Sequence, residues 1–197
     1  MFSIKVPFVI ASHVKKFAST TGLINKQKAG AIGVVSGVLY FNNGVNVVPV
    51  NGPGGFIPSG GATRVLTPAN SGTINAFDSA AGVSYTLPAP VVGLTYDFVV
   101  TVLQTSGANV IITNAGTVFV TGSIVMFSGE NVTPSATLGP KQFAGNGTTH
   151  IKVTTNATTS GGGIGTWLRA TCISTTQWYI TGVVNSPSGT IVTPFST

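Results

Sequence analysis

From residue 63 onward the chain is a succession of short runs rich in Val, Ile, Thr, Phe and Tyr, each closed by Gly, Asn, Ser or Pro. That rhythm admits few folds, because β-branched and aromatic side chains favour a pleated backbone while Gly and Asn tolerate the positive φ of tight turns. The runs fall at residues 64–67, 73–77, 83–87, 96–103, 109–113, 117–120, 123–127, 150–154, 166–174, 177–182 and 189–192. Turn formers such as Ser106-Gly107, Asn114-Ala115-Gly116 and Asn146-Gly147 separate them. Many short strands at this spacing predict an all-β domain, either a β-sandwich or a jelly-roll-like fold, and not a parallel α/β sheet. Only residues 13–18 show a trace of helical spacing. In residues 97–103, Phe98, Val100 and Val102 alternate with Val99, Thr101 and Leu103. Both sets are apolar or Thr, which predicts a strand covered on both faces or lying at a subunit contact.

Upstream of the predicted sandwich (63–197) the pattern changes. Residues 34–41 and 45–50 are apolar runs flanking Asn42-Asn43-Gly44, a spacing that predicts a tight hairpin. A Gly/Pro cluster over residues 52–61 then reads as a linker or long loop, so 29–62 is assigned as hairpin plus linker. Residues 1–28 read as an extended basic arm, because Lys5, Lys15, Lys16, Lys26 and Lys28 lie there and no acid precedes Asp78. The net charge of +6 therefore resides mainly in the arm: from residue 29, Arg64, Lys141, Lys152 and Arg169 face Asp78, Asp97 and Glu130, leaving +1. The short apolar stretch at residues 2–11 is broken by Lys5 and Pro7 and is not expected to be a secretory leader. No apolar run approaches the ~20 residues that cross a bilayer as a helix, so no membrane association is expected.

Charged residues make up 6% of the chain, against roughly 25% in an ordinary soluble domain. Hydrophobic residues at 43% make disorder an unsuitable reading. The same scarcity restricts chemistry: acid–base and nucleophilic catalysis need titratable groups, and there are three carboxylates, two histidines and one thiol. Asp78, Asp97 and Glu130 sit at turns or strand ends, where capping of backbone N–H groups is the expected role. His13 and His150 have no Cys, His or Asp at ligand spacing, so no metal is expected, and nothing calls for a cofactor or small molecule. Cys172 is expected to be a small buried thiol. Gly161-Gly162-Gly163-Ile164-Gly165 lacks the Lys-Ser/Thr end of a phosphate loop and is expected to be a flexible hairpin tip. Asn131, Asn146 and Asn156 open N-x-Thr triplets, which occur by chance in so Thr-rich a chain. The chain is accordingly not expected to be an enzyme.

The order of short motifs from Leu66 onward resembles a family of β-rich capsid decoration (cement) proteins of tailed phages and other double-stranded DNA viruses. Leu66-Thr67 and Ser71-Gly72 match its opening; Phe77-Asp78, Leu87-Pro88-Ala89-Pro90 and Gly93-Leu94-Thr95-Tyr96-Asp97-Phe98 follow in the family's sequence. Trp178-Tyr179-Ile180-Thr181-Gly182 and Gly189-Thr190-Ile191 stand in the closing places. Ser174-Thr175-Thr176-Gln177 departs from the Asp-Gly turn common before the Trp-Tyr strand, and residues 1–28 have no counterpart.

The resemblance implies a structural protein located in the virion, bound to the major capsid protein and to further copies of itself, with a trimer expected from the three-fold positions of capsid lattices. Phe2, Lys5, Phe8, Lys15, Lys16, Phe17, Lys26 and Lys28 are the expected capsid contacts, their apolar side chains filling grooves beside acidic surface. Lysines without Arg or an aromatic platform give only nonspecific attraction to nucleic acid, so no specific nucleic-acid partner is expected. The contrasting expectation is a host- or glycan-binding module in which Tyr85, Trp167 or Trp178 stacks on sugar rings.

Overall fold

The computed structural model describes residues 16–17, 32–35, 38–42, 47–49, 55–61, 63–128, 139–186 and 191–197, the first four groups as backbone strands. The chain divides into two units, Met1–Gly52 and Pro53–Thr197.

In the first unit, β1 (Lys16–Phe17), β2 (Ile32–Val35), β3 (Val38–Asn42) and β4 (Val47–Pro49) form a four-stranded sheet in chain order. β3 and β4 pair antiparallel with Asn42 opposite Val47, the hairpin expected across Asn43-Gly44. The run at residues 34–41, however, is two strands and not one: Val35 lies opposite Val38, so the chain already reverses between them. β1 pairs parallel with β2, Lys16 opposite Val34 and Phe17 opposite Val35. The trace of helical spacing at residues 13–18 is thus overridden at Lys16 and Phe17 by strand pairing. Pro49 lacks a backbone donor, and it sits on the edge strand where none is required.

The second unit is an all-β sandwich. Its larger sheet has seven strands in the order β12 (Lys141–Asn146), β11 (Phe119–Ser128), β15 (Gln177–Ser186), β14 (Trp167–Ser174), β9 (Thr95–Val100), β7 (Ile74–Phe77) and β5 (Phe56–Ile57). The smaller has five, β16 (Phe195–Ser196), β13 (Lys152–Thr155), β10 (Asn109–Ile112), β8 (Ser84–Thr86) and β6 (Arg64–Val65). From β5 to β10 the chain changes sheet at every step. It lays β7 parallel to β5, β9 parallel to β7, β8 parallel to β6 and β10 parallel to β8. This segment is therefore a two-sheeted coil, each turn stacking on the one before. A final antiparallel set, β12 on β11, β14 between β9 and β15, and β13 and β16 beyond β10, completes both sheets.

Stacked turns must approach closely, and two glycines show how closely. A Cβ on Gly82 would meet the Ala108 carbonyl oxygen at 2.2 Å, and one on Gly107 would meet that of Ala81 at 2.0 Å. Both residues have positive φ, so no side chain suits either place.

Between the sheets, Tyr85 of the smaller sheet meets Phe77 and Phe98 of the larger edge-on, ring centres 5.4 Å apart in each pair. Tyr96 and Trp178 pack at 5.7 Å. Tyr85, Phe98, Tyr96 and Trp178, with Leu87, Ile111, Ile124, Met126, Leu168 and Ile180, are fully buried, and Phe77 is nearly so. Alternation in β9 puts Tyr96, Phe98 and Val100 inward and Thr95, Asp97 and Val99 outward. The strand ends at Val100, so Val102 and Leu103, expected to continue it, are exposed beyond it.

Several strands differ from expectation. The Gly/Pro cluster at 52–61 contains β5, paired with β7. Residues 117–120 and 123–127 contribute to one continuous strand, β11, because Gly122 adopts a φ of 115° within the ladder where a turn was expected. Residues 191–192 are not strand, and the closing strand is β16 instead. β12 was not anticipated: KQFAGN has no β-branched residue, and its pairing with β11 from Thr121↔Asn146 to Met126↔Lys141 supplies what propensity does not.

Candidate interaction surface

Of the expected arm contacts, Phe2, Lys5, Phe8, Lys15, Lys26 and Lys28 lie outside the described residues, while Lys16 and Phe17 form β1. Glu130 and Asn131 also lie outside them.

Within the sandwich, the titratable groups hold structure. The Asp78 carboxylate accepts hydrogen bonds from the Ser59 hydroxyl and from the backbone N–H groups of Gly60 (3.2 Å) and Gly61 (3.4 Å), closing the loop that leads into β6. Burial pushes its pKa up, but these donors together outweigh burial and hold the pKa below its ordinary value. Asp97 and Arg169 are cross-strand partners on β9 and β14, joined by Nε–Oδ1 and Nη2–Oδ2 bonds of 2.8 Å each. The hydrogen bonds and charge of Asp97 raise the pKa of Arg169. His150 Nδ1 accepts the Asn146 N–H at 3.2 Å, and its ring stacks on Phe195. Cys172 is a buried thiol, as expected, donating to the Ser174 carbonyl, and burial raises its pKa. Among the described residues no three His, Cys, Asp or Glu side chains gather at metal-binding distances, and no helix is long and apolar enough to cross a membrane.

The aromatics considered for sugar binding separate cleanly. Tyr85 and Trp178 are fully buried and cannot stack on a ligand. Tyr85 donates to the Ala76 carbonyl at 2.7 Å, and burial, with Asp78 nearby, pushes its pKa up to about 12. Trp167 alone of the three is accessible, at 38%, and the Arg169 guanidinium already lies over its ring at 5.4 Å. A cavity between the sheets beside Phe77 and Leu168 has about 10 Å³, room for one water and far below the ~300 Å³ of a small-molecule site.

The glycine segment at 161–165 is not a flexible tip. Gly161, Gly162 and Gly163 are buried, Gly162 and Gly163 bonded through Gln104 N–H to Gly162 O (3.1 Å) and Gly163 N–H to Asn185 O (2.9 Å). A Cβ on Gly162 would stand 2.4 Å from Gln104 Oε1, which leaves no room for any other residue. Asn146 and Asn156 cap two loops by the same device. Each side-chain oxygen accepts N–H bonds from the residues two, three and four positions on, and each amide donates to the Thr three positions on. The repeat of Asn-x-Thr-Thr carries this signal in the sequence, and it encodes loop closure.

The outer face of the seven-stranded sheet carries a further set of accessible side chains. Hydrogen-bond register sets Val99, Trp167, Val183 and Val125 side by side on β9, β14, β15 and β11. The next row holds Asp97, Arg169, Thr181 and Ser123, its two charges paired with each other. In β14, Trp167 and Arg169 lie on this face, and Leu168, Ala170 and Cys172 are buried on the opposite one. Fold and surface together define an all-β sandwich. Comparison with protein-family models, curated proteins and solved structures finds no match.

Proposed function

We propose that this chain is a structural virion protein that decorates or cements a viral capsid, binding the major capsid protein through the basic segment at residues 1–28 and apolar β surface, without catalysis. The observation that carries the reading is the separation of roles along the chain. In the sandwich, Asp78 and Asp97 are committed to a loop cap and an ion pair, and an apolar row lies outward on the large sheet. Five of the nine basic residues, Lys5, Lys15, Lys16, Lys26 and Lys28, lie in residues 1–28, which hold no acid. Such a division suits a rigid body that covers protein surface and a segment that grips acidic surface nearby. The motif order shared with the decoration family supports the same reading. Self-association belongs to it as well, because cementing acts between neighbouring positions of a lattice.

Deletion of residues 1–28 tests it. The truncated chain is expected to keep the far-UV circular dichroism of the sandwich and to lose co-sedimentation with capsid particles, while co-sedimentation of the intact chain falls as salt is raised. Equal binding by both chains would refute the role of the segment. Glycan-array binding abolished by Trp167→Ala would replace the capsid reading with the glycan-binding one.

A further inference from the structure

We propose that the outer face of the seven-stranded sheet is the surface through which two copies of this chain pack on each other about a two-fold axis. This rests on the reading of the chain as an assembly protein and names the face that self-association uses. The row Val99, Trp167, Val183, Val125 is continuous across four neighbouring strands, about 14 Å at the usual strand spacing. Trp167 and Val183 are 38% and 36% exposed at its centre. An apolar stripe in mid-sheet is poorly placed in water and well placed against another sheet about 10 Å away.

Charge selects the occupant. The row beside the stripe carries one acid and one base, and Asp97 and Arg169 neutralise each other through two 2.8 Å bonds. A face with no net charge offers nothing for an acidic or basic partner to complement, and it meets its own copy without repulsion. Five lysines at residues 5–28, outside the sandwich, carry +5 of the chain's +6. Area agrees. The strands β12, β11, β15, β14, β9 and β7 have 6, 10, 10, 8, 6 and 4 residues, which at a rise of about 3.3 Å and a spacing of about 4.8 Å give a face of about 700 Å². That is about what a stable dimer takes from each partner. Because one patch meets itself, the contact closes as a pair and not as a ring of three.

The full-length chain, purified free of particles, is measured by sedimentation equilibrium beside Val183→Lys, with Val65→Lys on the smaller sheet as a control. The wild type and the control are expected at twice the 19.9 kDa of one chain, and Val183→Lys at the mass of one, its dissociation constant raised roughly tenfold or more with circular dichroism unchanged. Should Val183→Lys fail to fold, Trp167→Ser gives the same reading without an added charge. A wild-type monomer, a three-chain mass, or a Val183→Lys variant or Trp167→Ser variant with the wild-type mass would overturn the proposal. Particle co-sedimentation of the same proteins keeps the two readings apart. A wild type that binds particles without pairing counts only against the face, and a wild type that pairs without binding particles counts only against the capsid role.

Discussion

Replacing Gly162 by Ala is expected to destabilise the sandwich by about 3 kcal/mol, from two separate causes. The backbone at Gly162 has a φ of 116°, and holding a residue with a side chain there costs roughly 1–3 kcal/mol. The new methyl would also lie 2.4 Å from Gln104 Oε1 and 3.0 Å from Gln104 Cβ. Gln104 is buried and cannot simply swing away. Its Nε2 donates to the carbonyls of Gly107 (2.9 Å) and Thr155 (3.2 Å), and its Oε1 accepts from Thr155 Oγ1 (2.7 Å) and Asn109 Nδ2 (3.2 Å). Displacing it leaves buried polar groups unpaired, at roughly 1–3 kcal/mol more. A chain of this size loses about 2–4 °C of Tm per kcal/mol, so a drop of roughly 6–12 °C is expected by calorimetry. The guanidinium midpoint followed by Trp fluorescence should move in step. Gly116→Ala is the control, since no atom lies within 4 Å of its added Cβ and its φ is not in the left-handed range. If Gly162→Ala were neutral, or stabilising by the ~0.4–1 kcal/mol that Gly→Ala gives in a flexible loop, the buried-seam account would be wrong.

Two further outcomes follow from the polar groups. Asp78 has a folded pKa below its ordinary 3.8, so its contribution is fully present above that value and is lost as pH falls through the folded pKa; Asp78→Asn should flatten the decline in denaturation midpoint below pH 4, and an unchanged acid profile would refute the cap. Cys172 should resist labelling by a thiol reagent at pH 8 in the native chain and react at once in denaturant, because burial both raises its pKa and denies access; fast native labelling would place it at the surface.

The strand content was legible because alternation and turn chemistry are local: residues 73–77, 83–87, 109–113 and 166–174 each contain a strand where the pattern put it. The winding was not, since parallel neighbours such as β8 and β10 are joined through the other sheet and no hairpin signal records the connection. β12 and β5 escaped for a related reason, both being held by a partner's register more than by their own residues. The glycine segment was misjudged because sequence shows the absence of a side chain but not its cause. At Gly162 the cause is Gln104, some 60 residues away in the chain. At the surface, exposure of Trp167 and burial of Trp178 follow from which side of their strands each occupies, a choice that alternation leaves open until the sheets are assembled.

The motifs that resemble the decoration family turn out to be ties between turns of the coil. Ser71 Oγ accepts the Thr95 N–H at 3.0 Å, and the Tyr96 hydroxyl donates to the Thr67 carbonyl at 2.9 Å, so Leu-Thr, Ser-Gly and the Tyr-x-Phe strand meet in one place. Phe77-Asp78 joins the core to the loop before β6, and Trp178 fills the core against Tyr96. In this chain these ties help hold the winding. On the proposed role, attachment uses residues 1–28 and outward positions such as Val99, Trp167 and Val183, whose side chains take part in none of these ties. If the proposed capsid role holds, such a chain can change its partner without changing its body, because the groups that set the fold point inward or along the turns and the outward groups are left free to vary.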